Sequence, residues 1–227
     1  VEGMIGSPDN VLVGFDARWN FLDRFQAYSQ FLLDEFLFSA LVKPEEKGWW
    51  GNKFGGQIGA KYLNLFGIDH LDFQAELNLV RPYTYSHNDS IFTNYAHYGI
   101  PLAHPLVSNF GEILFRAKWA PPGRFSVDSK VFLIKNGDDP AGKNFGNNLN
   151  LSYNSRPGDF GHFIGQGIGS QIILWNMDVS YQIFHNTFVD FRTGYRHKKS
   201  DETSLSRSEI WFATGFRMNI GNWKNEF

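Results

Sequence analysis

Residues 71–79 read LDFQAELNL, and apolar and polar side chains change places at every step. A strand has a side-chain period of two, so Leu71, Phe73, Ala75, Leu77 and Leu79 share one face. Asp72, Gln74, Glu76 and Asn78 share the other. The same two-sidedness recurs in nine candidate strands, at about 11–19, 23–35, 54–66, 71–85, 110–119, 123–135, 168–184, 187–198 and 206–220. A chain written this way folds as antiparallel sheet with one oily and one hydrated face. What wets the oily face is the question that decides everything else.

The connections carry further information. Residues 20–22, 67–70, 120–122 and 185–186 are short turns, whereas 36–53, 86–109 and 136–167 are long loops and 199–205 is intermediate. Short and long alternate along the whole chain. A meander with tight turns at one end and long loops at the other describes an outer-membrane β-barrel. Soluble up-and-down barrels have no reason to segregate loop lengths so strictly. No linker, repeat or low-complexity tract marks a second domain, so residues 1–227 are expected to form one barrel portion with long extracellular loops near 36–53, 86–109 and 136–167.

The faces agree across the strands. One carries Phe15, Trp19, Phe31, Ile58, Tyr62, Ile113, Phe115, Val131, Val179, Phe191, Phe212, Phe216 and Ile220. The other carries Asp16, Arg18, Gln30, Gln57, Lys61, Arg116, Lys118, Asp128, Asp178, Arg192, Arg196 and Arg217. A mid-bilayer Arg or Lys on the lipid face costs about 2–4 kcal/mol, so lipid demands this segregation. A soluble sandwich shows it too, and periodicity alone leaves both solvents open.

Aromatic placement favours lipid. The chain is 17% aromatic and only 19% charged, against about 25% charged in an ordinary soluble domain. Trp19, Phe21, Phe66, Trp119 and Phe184 gather near the short turns, and Tyr83, Tyr85, Trp175 and Tyr195 toward the long loops. Two such belts suit the two membrane interfaces. The final strand, EIWFATGFRMNI, lies close to the aromatic terminal residue Phe227, like the recognition signal of outer-membrane barrels. No stretch reaches the roughly 18 apolar residues of a spanning helix, and the best, QFLLDEFLFSALV, holds Asp34 and Glu35. A net charge of −2 offers no basic excess for nucleic acid, and the lack of cysteine excludes disulfides and thiolate chemistry.

Nine strands are an odd number for a bacterial single-chain barrel. The first and last strands run the same way, so closing the ring would pair parallel neighbours. The chain also opens VEGMIGSPDN, without Met. The expectation is the C-terminal portion of a larger barrel.

Two segments resemble a known family. DARWNFLDRFQAYSQFLLDEF (16–36) looks like a strand–turn–strand of the capsule-assembly Wzi-like outer-membrane proteins, which include the gliding-motility RemB-like proteins. Its Tyr28, Gln30, Asp34 and Glu35 match a Y-x-Q/E strand followed by an acidic cluster. RPYTYSHNDSIFTNYAHYGIPLAHPLVSN (81–109) resembles the family's Tyr-rich strand end, His-Asn pair and H-Y-G-x-P-L-x-H-P-L run at Tyr83, Tyr85, His87, Asn88, His97, Tyr98, Gly99, Pro101, Leu102, His104, Pro105 and Leu106. Val107-Ser108-Asn109 departs from the Gly-Pro-Asn that often follows, and the family's preceding strands are absent. The resemblance implies the C-terminal half of a transmembrane barrel of about eighteen strands. It also implies a non-enzymatic role at the cell outer membrane in surface polysaccharide or cell-surface machinery.

Candidate sites follow. On the hydrated face, Asp72 and Glu76 lie between Lys61 and the pair Arg116 and Lys118, and Asp178 lies beside Arg192 and Arg196. Mixed signs of this kind cross-link a lumen rather than line a selective pore, which presents one sign. His87, His97 and His104, with Asp89 nearby, are spaced unlike any compact zinc motif, and no metal or cofactor is expected. The HYG-x-PL-x-HPL run is expected to fold its loop over the barrel mouth, with Gly99 and the prolines fixing turns. Trp49, Trp50, Tyr95, His97, Tyr98 and His104 lie on loops, where rings stack on sugars or partner proteins, or simply pack the loops together. No G-x-S-x-G is present, and GQGIGSQ (165–171) lacks the lysine and helix of a phosphate loop.

Three functions stay open at this level: a scaffold holding surface polysaccharide, an accessory barrel bound to other outer-membrane barrels in a secretion or motility complex, and a diffusion channel. The partners expected are outer-membrane lipid, polysaccharide or other barrels.

Overall fold

A computed structural model describes residues 11–88, 95–98 and 100–219. Asp89, Gly99, Ile220, Phe227 and the opening VEGMIGSPDN lie outside the described residues. The protein is an all-β, up-and-down antiparallel sheet. Its strands are β1 (Val13–Phe21), β2 (Phe25–Glu35), β3 (Lys53–Tyr62) and β4 (Leu71–Val80), then a two-residue hairpin β5 (Ala96–His97) and β6 (Ile100–Pro101). β7 (Phe110–Trp119), β8 (Phe125–Asp138), β9 (Ile168–Phe184), β10 (Thr187–Ser200) and β11 (Arg207–Met218) complete it. A four-residue helix α1 (Ser39–Val42) interrupts the first long loop. The nine-stranded sheet runs β1-β2-β3-β4-β7-β8-β9-β10-β11, with β1 and β11 at its edges.

The tight turns are built for hairpins. Leu22 (φ 50°) and Asp23 (φ 56°) between β1 and β2, and Asn186 (φ 56°) between β9 and β10, are left-handed, as the right-handed twist of hairpin strands favours.

Two expected strands end early: β3 at Tyr62 rather than 66, where Leu65–Gly67 form a short 3-10 turn, and β4 by a similar margin. β4 stops at Val80, not 85. Pro82 has no N–H for a ladder, and Tyr83 (φ 64°) and Tyr85 (φ 75°) turn the chain away. These two tyrosines therefore do not belong to an outer belt. They are 0% and 5% exposed, inside the loops.

Register aligns the two faces across all nine strands. Ile58, Leu77, Ile113, Leu133 and Ile173 form one continuous row from β3 to β9. They are 60, 39, 39, 39 and 45% exposed. Nothing among the described residues packs on them. The next row on the other face runs Asp16, Gln30, Gln57, Asn78 and Glu112.

The strands are also staggered. The row holding Trp19, Ala27, Ala60, Ala75, Phe115, Val131, Trp175, Tyr195 and Ile210 starts two residues from the short-turn end of β1. It crosses β9 nine residues from that end, at Trp175. The drift comes in steps, mainly between β3 and β9, and gives the strands a common slant across the sheet. It also explains why Trp19 and Trp175 share a row while lying at different distances from the turns.

Candidate functional site: the loop cap on the polar face

The long loops fold onto the polar face. Val80 and Phe110, on that face of β4 and β7, form a buried cluster with Tyr85 and Leu149 from two loops, flanked by Leu32, Tyr95 and Leu106. Gly55 leaves room for Tyr85, since a Cβ there would lie 3.2 Å from the Tyr85 hydroxyl. Among the described residues the apolar face keeps its mid-strand side chains exposed, and the polar face acquires a protein core at its long-loop end.

Asn109 binds this cap together. It is fully buried. Its Nδ2 donates to the carbonyls of Gly137 and Gln166, both at 2.9 Å. Its Oδ1 accepts from the N–H groups of Gly165 at 2.8 Å and Gln166 at 3.3 Å. One side-chain amide thus ties the β8 end to the loop before β9. Nearby, Ser108 Oγ donates to Gly146 O at 2.6 Å and the Tyr83 hydroxyl to Asn144 O at 2.9 Å. Burial raises both Tyr83 and Tyr85 above the ordinary phenol value, the latter to about 12.

A second cluster holds the cap to β2 and β3. Lys53 is fully buried, 3.0 Å from Glu35, and donates to Ser86 O at 3.2 Å. Its ammonium lies 4.6 Å from the Tyr153 ring centre and 5.4 Å from that of Trp50. His87 is buried beside it, with Nε2 3.4 Å from Asp34 Oδ1. Burial first and the Lys53 ammonium second pull His87 down to about 4, so the ring is neutral at neutral pH. Arg81 donates to the carbonyls of Asn52 at 2.7 Å and Trp49 at 3.2 Å, and burial lowers its pKa.

The six loop residues expected at a binding surface do not converge. Trp50 is half-buried, 4.6 Å from the Tyr153 ring and 4.1 Å from the Arg156 guanidinium, with Trp49 beside it at 5.8 Å. Tyr95 stacks on Tyr85 at 5.7 Å, and His104 on Phe110 at 4.5 Å. Only His97 and Tyr98 are open to solvent, with Tyr98 92% exposed at the tip of the β5–β6 hairpin. The three loop histidines are likewise distributed: His87 in the Lys53 cluster, His97 on the hairpin, His104 3.5 Å from Glu112. Among the described residues, no group of three His, Asp or Glu is placed to hold a metal ion.

The charge network on the strands combines one diagonal pair, Arg116 with Asp128, and one pair in direct register, Arg192 with Asp178 as expected. Arg116 makes a bidentate pair with Asp128 across β7 and β8, at 2.9 and 2.5 Å, and Arg192 pairs with Asp178 at 2.9 Å. Lys118 stands in register between Asp72 and Asp128. Arg196 stands between Leu174 and Glu209. Glu76 takes its hydrogen bonds from Tyr28, Gln74 and Asn78, while Lys61 lies 5.5 Å from the Tyr28 ring. Asp72 accepts from the N–H of Asn64 at 3.2 Å.

Asn78 continues this network to Glu112 at 3.1 Å, just below a cavity of about 420 Å³ between sheet and cap. Gln30, Gln57, Asn78, Tyr85, Tyr95 and His104 line it.

Sequence reasoning does not single out Lys53 or Asn109. The signal for Asn109 is modest: an Asn at φ 61° immediately before a strand, where left-handed backbone suits Asn. Lys53 carries no signal, because a lysine at a strand start usually reads as a solvated edge.

No family model, curated protein or solved structure matches this chain.

Proposed function

We propose that this sheet is part of the wall of an outer-membrane β-barrel that presents a folded loop cap outside the cell and acts as a non-enzymatic surface scaffold. One observation supports it above the others: the loops cover the polar face while the apolar face of nine strands stays exposed. At about 4.8 Å per strand and about 3.4 Å per residue, that face covers on the order of 1,000 Å². Soluble monomers rarely leave more than about 300–600 Å² of apolar surface contiguous. The Leu71–Leu79 run spans about 27 Å, or about 21 Å at a 40° tilt, close to the ~25 Å apolar band of such barrels.

Aromatic rings line the short-turn border of this face. Trp19, Phe21, Phe25, Tyr62 and Phe66 follow one another at 4.7, 5.6, 4.2 and 6.2 Å between ring centres. Such a ladder suits the interfacial girdle. Both edge strands, β1 and β11, run toward the short turns. An antiparallel ring therefore closes only through an odd number of further strands, which gives an even total. This accords with the larger barrel implied by the resemblance to the Wzi-like family.

The cap makes a scaffold a better reading than a diffusion channel, since its packed, hydrogen-bonded loops occupy the mouth side of the polar face. Surface polysaccharide is the ligand we assign, with His97 and Tyr98 as its exposed contacts. Trp49 and Trp50 serve the fold of the cap. Whole-cell polysaccharide retention tests this. Tyr98→Ala with His97→Ala should lower retention while leaving the amount of barrel in the outer membrane unchanged. Full retention by that double variant would contradict the ligand assignment.

A further inference from the structure

On the foundation of the membrane reading, we infer that residues 36–47 form a foot that lies in the outer-leaflet interface beside the barrel wall. Phe36, Leu37, Phe38 and Val42 are 41, 41, 69 and 63% exposed, a dense apolar surface for a loop. The segment is nevertheless fixed in place. The N–H of Leu37 donates to Asn52 Oδ1 at 2.7 Å, Ser39 Oγ donates to Glu46 Oε2 at 2.9 Å, and Lys43 pairs with Glu46 at 2.8 Å. Ala40 turns inward at 4% exposure. The segment is thus folded on itself through Glu46 and tied at its start to Asn52, with Ala40 inward and the four apolar side chains left exposed.

Their occupant is argued from continuity. Phe31, on the apolar face of β2, lies 6.0 Å from Phe54 on β3, and Phe54 lies 6.4 Å from Phe36. An unbroken chain of rings therefore leads from the bare sheet face into the foot. Charge follows at once: Lys43, Glu45, Glu46 and Lys47 succeed the apolar residues. Apolar side chains beside a mixed-charge stretch match an element that enters a lipid surface by about 5–10 Å with its charges at headgroup level. A lipid surface is the occupant.

The chain has no cysteine, so single cysteines report alone. Phe38→Cys and Val42→Cys, each carrying an environment-sensitive fluorophore, would be placed in the full chain in phosphatidylcholine vesicles. Ile58→Cys in the middle of β3 serves as the reference for the wall. Nitroxide lipids with the spin label near the headgroup should quench the two foot positions about twofold more strongly than lipids labelled near the chain end, as shallow insertion implies. Ile58 should show the opposite preference. Foot labels that stay in water, or that are shielded from both lipid and water, with Ile58 still quenched, would overturn the foot alone. An unquenched Ile58 would overturn the wall, and the foot with it.

Discussion

The Tyr28 ring occupies the space above Gly59, its register partner on β3, so closely that a Cβ on Gly59 would lie 2.2 Å from the ring. From that seat its hydroxyl donates to Glu76 and accepts from Gln74 at 2.8 Å. Trp211 stands over Gly194 in the same way, with Nε1 2.4 Å from where a Cβ would be. Both rings lie on the polar face, where glycine makes room for an aromatic side chain that leans along the sheet rather than into it.

Gly59→Ala should therefore destabilise the protein by about 1–3 kcal/mol, the ordinary cost of an overpacked site. Urea unfolding in detergent micelles measures it. Adding Tyr28→Ala should make the Gly59→Ala change nearly neutral, because the ring it collides with is gone.

Asn109→Asp replaces the amide donor that serves Gly137 O and Gln166 O with a carboxylate oxygen. Two buried carbonyls then face a negative charge, for a loss of about 3 kcal/mol. Limited proteolysis should show cleavage within 139–167 at least tenfold faster, with the strands still protected.

His87 gives the cap a pH dependence. Its folded value of about 4 lies below the ordinary 6.5. As pH falls through this window the unfolded chain takes up a proton that the folded one refuses. Stability is full above 6.5 and declines toward pH 4, by on the order of 3 kcal/mol in all. His87→Asn should flatten the decline in urea midpoints measured from pH 7 to pH 4.

A charge separates the two faces. Ile58→Arg, in the centre of the apolar face, should cost about 2–4 kcal/mol in a lipid bilayer. Gln30→Arg, on the polar face beside Asp16, should change stability by no more than about 0.5 kcal/mol. Reversible unfolding from vesicles compares the two.

The nine-stranded sheet was largely legible in the sequence because alternation is a local signal. LDFQAELNL fixes its own faces without reference to any neighbour, and β9 and β10 begin where their patterns begin. The cap was not. Tyr83 and Tyr85 continue the period of β4 on paper, but Pro82 and two left-handed residues bring them inside. Trp50 looks like a surface ring until Tyr153 and Arg156, a hundred residues on, pack against it. Loop packing rests on contacts between distant residues, and nothing local encodes them. Arg116 shows the same limit among the strands: it has carboxylates in the strands on either side, its register partners are Gln74 and Lys130, and only the side-chain geometry shows that Asp128 takes it on the diagonal.

The most direct test of a lipid-facing wall is single-cysteine labelling at successive positions from Asp72 to Leu77 in vesicles. Quenching by nitroxide lipid should alternate, strong at Phe73, Ala75 and Leu77 and weak at Asp72, Gln74 and Glu76. Labels at Phe73, Ala75 and Leu77 shielded from lipid and water alike would mean that another protein layer covers this face, and a membrane wall would be ruled out.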